Sequence, residues 1–297
     1  MPSTLFTAPP DWQWLIILYF FVGGLAGGSY FLAALIDFFG SSLDRPLARL
    51  GYSVAFVMTV ASGILLILDL SKPLRFWHML IQSERGVPMF KAWSPMSVGS
   101  WALLIFGLFA FVSFVASLAE ADRIRWPALA ALRPPRILGT LVAIVGGLLG
   151  FFVAGYTGVL LAVTNRPIWS DTNLLGLAFL VSAASTSAAL MVLLASRRSA
   201  TPAGIRALER FDAWVLLLEL LVLIALVASL GSLARLWLNA WGGLFVLGVV
   251  GLGIIVPLLL HWRRRPHARF GVPAAAALVL VGGFLLRVVI VLSSEGV

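Results

Sequence analysis

The 297-residue sequence contains no cysteine, only three histidines, and 11% charged residues. Without cysteine the chain forms no disulfide, ligates no iron–sulfur cluster through its own thiolates, and offers neither thiolate catalysis nor a lipidation site on Cys. Any cluster that works with it belongs to a partner. The histidines exclude a second class of centre. His78 follows the second apolar run, while His261 and His267 end the seventh, on the opposite side, so no helix pair supplies two axial ligands to a transmembrane haem. The scarcity of charge, set against 61% hydrophobic residues, leaves too little polar surface to cover a soluble globule of this length. The first apolar run has no basic residue before it and is longer than a signal core, so it is expected to be retained as a helix.

What the sequence does have is apolar runs of spanning length, which requires roughly 20 residues. Eight are present, at about 14–38, 49–69, 97–119, 137–163, 173–196, 211–230, 240–261 and 272–293. They are too long and too uniformly apolar for barrel strands. The expectation is an all-α membrane protein, a single integral membrane domain over 1–297 with eight transmembrane helices packed as two four-helix bundles. The net charge of +9 does not indicate nucleic acid, because its distribution follows the membrane. The connections after helices 1, 3, 5 and 7 carry 14 of the 21 Lys and Arg, and the opposite connections carry 6. By the positive-inside rule the rich side is cytoplasmic and both termini face the outer, periplasmic side. The remaining basic surplus suits anionic membrane lipid.

The outer connections hold more than a turn needs. DLSKPLRFWHMLIQSERGVPMFKAWSPMS follows helix 2 and TNRPIWSDT follows helix 4. Arg75, Phe76, Trp77, His78, Trp93, Arg166 and Trp169 make this face the expected docking surface for a partner, since aromatic and Arg residues dominate the energetics of interfaces.

Inside the helices, each ionisable group costs about 2.5–3.5 kcal/mol at the membrane centre and needs a partner or a purpose. Glu219 lies near the middle of helix 6. Tyr19, Tyr156 and Arg287 lie five to seven residues from the outer ends of helices 1, 4 and 8, about 8–10 Å deep, with Asp69 just above them at the end of helix 2. On helix 1, Gly23/Gly27 and Gly24/Gly28 form small-xxx-small spacings, so Gly24, Gly27 and Gly28 serve helix packing or leave a slot for a flat headgroup. This shared depth suits a quinone, which arrives from lipid and needs donors for two carbonyl oxygens and a route for protons. Tyr156 and Asp69 are the expected proton-handling groups, with Tyr19, the three glycines, His78 and Arg287 around the ligand.

The ordered set WQWLIILYFFVGGLAGGS, LILDLSKPLRFWHML, SPMSVGSW, GYTGVLLAVTNRPIWSD, the SAASTSAA run and GGFLLRVVIV resembles the NrfD/polysulfide-reductase membrane-subunit family over the whole chain. The resemblance implies a haem-free subunit in the bacterial cytoplasmic (inner) membrane that binds menaquinone or ubiquinone. It implies a four-cluster ferredoxin-like iron–sulfur partner and, beyond it, a molybdopterin catalytic subunit. It also places the quinone among the first helices, at positions that correspond here to Tyr19, Asp69 and Tyr156. Tyr19 departs from the histidine of the polysulfide reductase type. Proton translocation, proposed for some members, would use Glu219. Two other classes fit part of the same features: a secondary transporter, through buried Glu219 and Arg287, and a purely structural anchor, through the aromatic helix 2–3 loop.

Overall fold

The computed structural model describes residues 12–196, 202–262 and 271–294. The described chain is mostly helical, with eight helices long and apolar enough to cross a membrane. They are α1 (Trp14–Phe39), α2 (Arg45–Asp69), α3 (Pro95–Glu120), α4 (Ile137–Ala162), α5 (Leu175–Ala195), α6 (Pro202–Ser229), α7 (Ala240–Trp262) and α8 (Gly271–Leu292). Lipid offers the backbone no hydrogen-bond partner, so even glycine-rich α1 is helical throughout. His267 and the basic residues Arg197, Arg198 and Arg263 to Arg265 lie outside the described residues.

The boundaries are set locally. Ser41 and Asp44 form a reciprocal capping box ahead of α2, with Ser41 N–H donating to Asp44 Oδ2 at 3.0 Å, and Pro46 occupies its first turn. Pro95 opens α3 behind a Ser94 cap. Helix α6 begins nine residues earlier than the hydropathy pattern suggests. Arg206, Glu209 and Arg210 dilute that pattern, yet Glu209 and Asp212 are buried. Within α7, residues Leu244–Ile255 take the wider π form just before Pro257.

Helix α1 is the centre of the molecule, packed on α2, α4, α5 and α8. Helices α2 and α3 lean on one another, and α3 on α4, while α5 also carries α6 and α8, and α7 packs on α8. The glycines of α1 make these approaches close. A Cβ on Gly27 would overlap the Gly150 backbone of α4, and one on Gly28 would overlap Ser187 and the Ala183 carbonyl of α5.

The two ends of the molecule differ. At the basic end, Arg133 from the α3–α4 connection is only 2% exposed; it pairs with Glu120 of α3 at 2.6 Å and forks onto Asp37 of α1, whose side chain is fully buried. Tyr52 donates to Asp37 at 3.1 Å, and Arg45 binds Glu120 as well as the Pro134 carbonyl. At the far end, Trp169 from the α4–α5 connection is fully buried, stacks on Trp12 at 5.4 Å, and donates Nε1–H to the Ile290 carbonyl of α8 at 2.7 Å. Both ends of the described chain, Trp12 and Ser294, therefore lie on this side.

Candidate functional site

At the far end, α1, α2, α3 and α4 enclose a cavity of about 440 Å³. Tyr19 of α1, Asp69 of α2 and Tyr156 of α4 all line it, among mostly apolar neighbours such as Phe20, Leu66, Leu103 and Leu160. Val60, Leu104 and Leu108 also line it and are exposed on the outside of the helices, so the cavity opens sideways between α2 and α3. Phe76, Met79 and Leu80, from the 3₁₀ turn Pro73–Met79 and the residue after it, close over its outer end.

The three polar groups differ in what they have free. Tyr156 donates its hydroxyl to the Pro95 carbonyl, the first residue of α3, and its ring stacks on Phe152. Its phenol proton is thereby committed, and its oxygen, which lies against the Gly99 backbone of α3, keeps acceptor capacity only on its remaining side. Tyr19 is 4% exposed and makes no hydrogen bond among the described residues, so its O–H is a free donor facing the cavity beside Tyr156. Asp69 ends α2 at the mouth, exposed and without an ion pair among the described residues. Lys72 and Arg75 do not tie it down.

Three small residues that composition alone did not single out shape this space. The Tyr156 ring and hydroxyl occupy the place where a Cβ on Gly99 would stand, so only glycine admits the tyrosine. A Cβ on Gly63 would meet nothing, because Gly63 faces the open cavity. Thr59 lines the wall with its hydroxyl turned back to the Ala55 carbonyl at 2.7 Å.

Other residues expected at the site stand elsewhere. Gly24, Gly27 and Gly28 are not on the cavity wall; they face α4, α5 and Arg287, and their missing side chains are filled by neighbouring helices. Arg287 shares the depth of Tyr19 but lies on the opposite side of α1, fully buried, donating to Ser182 Oγ at 2.7 Å and to the Gly283 and Phe179 carbonyls. Depth along a helix is readable from spacing; the side it faces is not. His78 stacks on Trp77 at the surface and is not among the lining residues.

The expected docking residues divide in the same way. Arg75, Trp77 and Trp93 are exposed, Trp93 at 82%, and Phe76 both lines the cavity and reaches the surface. Trp169 is not a docking residue but a buried tie between the two termini, because its indole N–H finds a backbone carbonyl inside. Arg166 is half-buried over the Trp169 ring at 5.4 Å.

Away from the cavity runs a buried polar row. Glu219 of α6 is 3% exposed and faces Ser182 and Ser185 of α5 within reach of the Arg287 charge. Asp212, seven residues earlier on the same helix face, also faces Ser185, and Glu209 follows toward the basic end. Glu209 falls before the apolar window and Asp212 at its very start, so neither stands out in the sequence; their spacing from Glu219 on one face is the signal that was there. The row stops at Arg287, whose cation lies 5.0 Å from the Phe179 ring, and Phe179 touches Phe20 of the cavity wall.

Comparison with known proteins agrees with this architecture. The family described as "Polysulphide reductase, NrfD" matches residues 6–295. Protein NrfD of Escherichia coli (strain K12) is 29% identical over 315 residues, covering 96% of this chain and 95% of that protein. A polysulfide reductase polypeptide of Wolinella succinogenes is 29% identical over 318 residues, covering 96% of this chain and 94% of its own length. A selenate reductase subunit of Mesobacillus selenatarsenatis is similar over a shorter stretch, 26% identical across 35% of this chain and 22% of its own length. With a match running from before the first helix to beyond the last, the chain belongs to the NrfD polysulphide reductase family.

Proposed function

We propose that this chain is the haem-free quinone- or quinol-binding membrane subunit of a multisubunit oxidoreductase in the bacterial cytoplasmic membrane. It exchanges electrons between the quinone pool and a partner iron–sulfur subunit of the four-cluster ferredoxin type, which serves a molybdopterin catalytic subunit. In this reading the first four long helices form the bundle that holds the ligand, the last four form a second, and both termini face outward. Two of the relatives, one named as a component of a polysulfide reductase and one of a selenate reductase, support a multisubunit setting.

The observation that carries the reading is the cavity, open to lipid on one side, apolar on its walls and furnished with Tyr19, Tyr156 and Asp69. Gly63 leaves it room for a flat ring. A quinone bound there supplies a two-electron, two-proton couple. The Tyr19 O–H donates to a ligand oxygen, and the Tyr156 oxygen accepts from a ligand hydroxyl while its own proton stays directed at Pro95. Asp69, at the mouth, exchanges the proton with water.

Gly63→Phe tests this directly, because a Cβ at Gly63 meets nothing within 4 Å and the position lines the cavity, so the new ring is directed into the space the ligand would fill. Saturable binding of a short-chain quinone to the purified chain should be present in the wild type and lost in Gly63→Phe, with thermal stability unchanged. Equal binding by both proteins would sink the assignment.

The buried row from Glu209 through Asp212 and Glu219 to Arg287 favours a second, compatible reading, in which the subunit also translocates protons. Glu219→Gln in proteoliposomes should then abolish proton movement while leaving quinol turnover in detergent intact. Unchanged proton movement removes Glu219 from any path.

A further inference from the structure

A second cavity, of about 500 Å³, opens at the basic end between the start of α2 and the end of α3, reaching Ala195 of α5. Leu47, Leu50 and Leu118 supply apolar wall, and two guanidinium groups, Arg49 and Arg123, supply the charge. No carboxylate is among its described lining residues. The neighbouring basic groups are already neutralised: Arg45 and Arg133 are paired with Glu120 and Asp37. Arg49 and Arg123 form no ion pair among the described residues. Arg49 lies twenty residues from Asp69 along α2, about 30 Å or one hydrocarbon thickness, which sets it at headgroup depth. Trp126, 68% exposed in the adjoining connection, is placed as an interfacial aromatic would be.

We propose that this cavity is a specific site for an anionic glycerophospholipid, with the phosphodiester held between Arg49 and Arg123 and the start of an acyl chain along Leu47, Leu50 and Leu118. Two uncompensated cations above an apolar wall, at the depth of the glycerol backbone, complement that amphiphile at both of its ends. A free anion would use the arginines and leave the apolar wall wet. A zwitterionic lipid would bring its own cation against two others. The site is independent of the quinone cavity, which lies at the other end of α2.

The test uses the full chain in detergent with defined phospholipid, read by native mass spectrometry. Phosphatidylglycerol should be retained over phosphatidylcholine. With each arginine worth about 1 kcal/mol near an anionic surface, Arg49→Ala/Arg123→Ala should weaken phosphatidylglycerol retention roughly 25-fold. Arg49→Lys/Arg123→Lys should keep most of it. Arg125→Ala, which removes an exposed cation of the same connection outside the cavity, should leave it unchanged. An equal loss in Arg125→Ala would mean diffuse attraction of the basic face and would overturn the site. So would equal retention of the two lipids by the wild type, or displacement of the lipid by millimolar inorganic phosphate alone. Should the double alanine variant fail to fold, the lysine pair and the wild-type lipid comparison still decide.

Discussion

At the scale of the residue, the two cavity tyrosines carry different tasks although their side chains are identical. Tyr19 keeps a free donor; Tyr156 commits its proton to the Pro95 carbonyl and anchors the start of α3. One hydrogen bond is worth about 0.5–1.5 kcal/mol net, so Tyr19→Phe should weaken quinone affinity roughly 2- to 13-fold and spare turnover at saturation. Tyr156→Phe should weaken quinol affinity by a similar factor and also lower the melting temperature, since the Pro95 carbonyl loses its partner. Steady-state kinetics in the intact complex check both, and a turnover loss of about 10²–10⁴ at saturating ligand would instead make the affected tyrosine a proton relay. For Asp69 the expectation is different: Asp69→Asn preserves shape and removes titration, so turnover should fall while quinone affinity holds, and wild-type rates across the pH range would reduce Asp69 to a helix end. These three residues were legible in the sequence because a polar group in a greasy helix at a common depth is costly enough to stand out. Gly99 and Gly63 were not, since a missing side chain acquires meaning only against the helix opposite. Trp169 was misread because a tryptophan in a polar connection looks the same whether its indole meets a partner protein or the Ile290 carbonyl.

At the scale of the element, helix count and most helix limits were readable from hydropathy, and what escaped was chemistry that polar residues complete only after folding. The clasp at the basic end is the clearest case. Asp37, Glu120 and Arg133 are apart in sequence and each looks like an ordinary charge at a helix end or in a loop, yet they fasten α1, α3 and the α3–α4 connection together. Arg133→Ala strands the Asp37 carboxylate without a cation, which should cost about 3–5 kcal/mol. Thermal unfolding of the purified chain should show the loss, and Asp37→Asn/Arg133→Met should recover much of it; an unchanged melting curve for Arg133→Ala would reduce the clasp to surface decoration. The early start of α6 follows the same logic, because Glu209 and Asp212 lower the hydropathy of a segment that the fold nevertheless buries.

At the scale of the whole molecule, the far end gathers both described termini, the cavity and the exposed aromatic loop. Family membership and eight spans were legible in the ordered motifs; the way α1 divides the buried polar groups into a cavity on one side and a row on the other was not, because it depends on which face each helix turns inward. The loop yields the last expectation. Replacing Trp77 and Trp93 by Ala, both exposed in the structure, should release the soluble subunits on purification, while Trp169→Ala should destabilise the chain itself. Co-purification undiminished by the Trp77 and Trp93 changes would move the docking surface elsewhere. The sideways opening past Val60, Leu104 and Leu108 has a consequence for how such an enzyme is supplied. Under the proposed function its ligand is delivered by two-dimensional diffusion from the bilayer and not from the aqueous volume. The concentration that such a site would sense is the mole fraction of quinone among lipids, so diluting proteoliposomes with buffer should leave the rate per enzyme unchanged, whereas diluting them with quinone-free lipid through vesicle fusion should slow it.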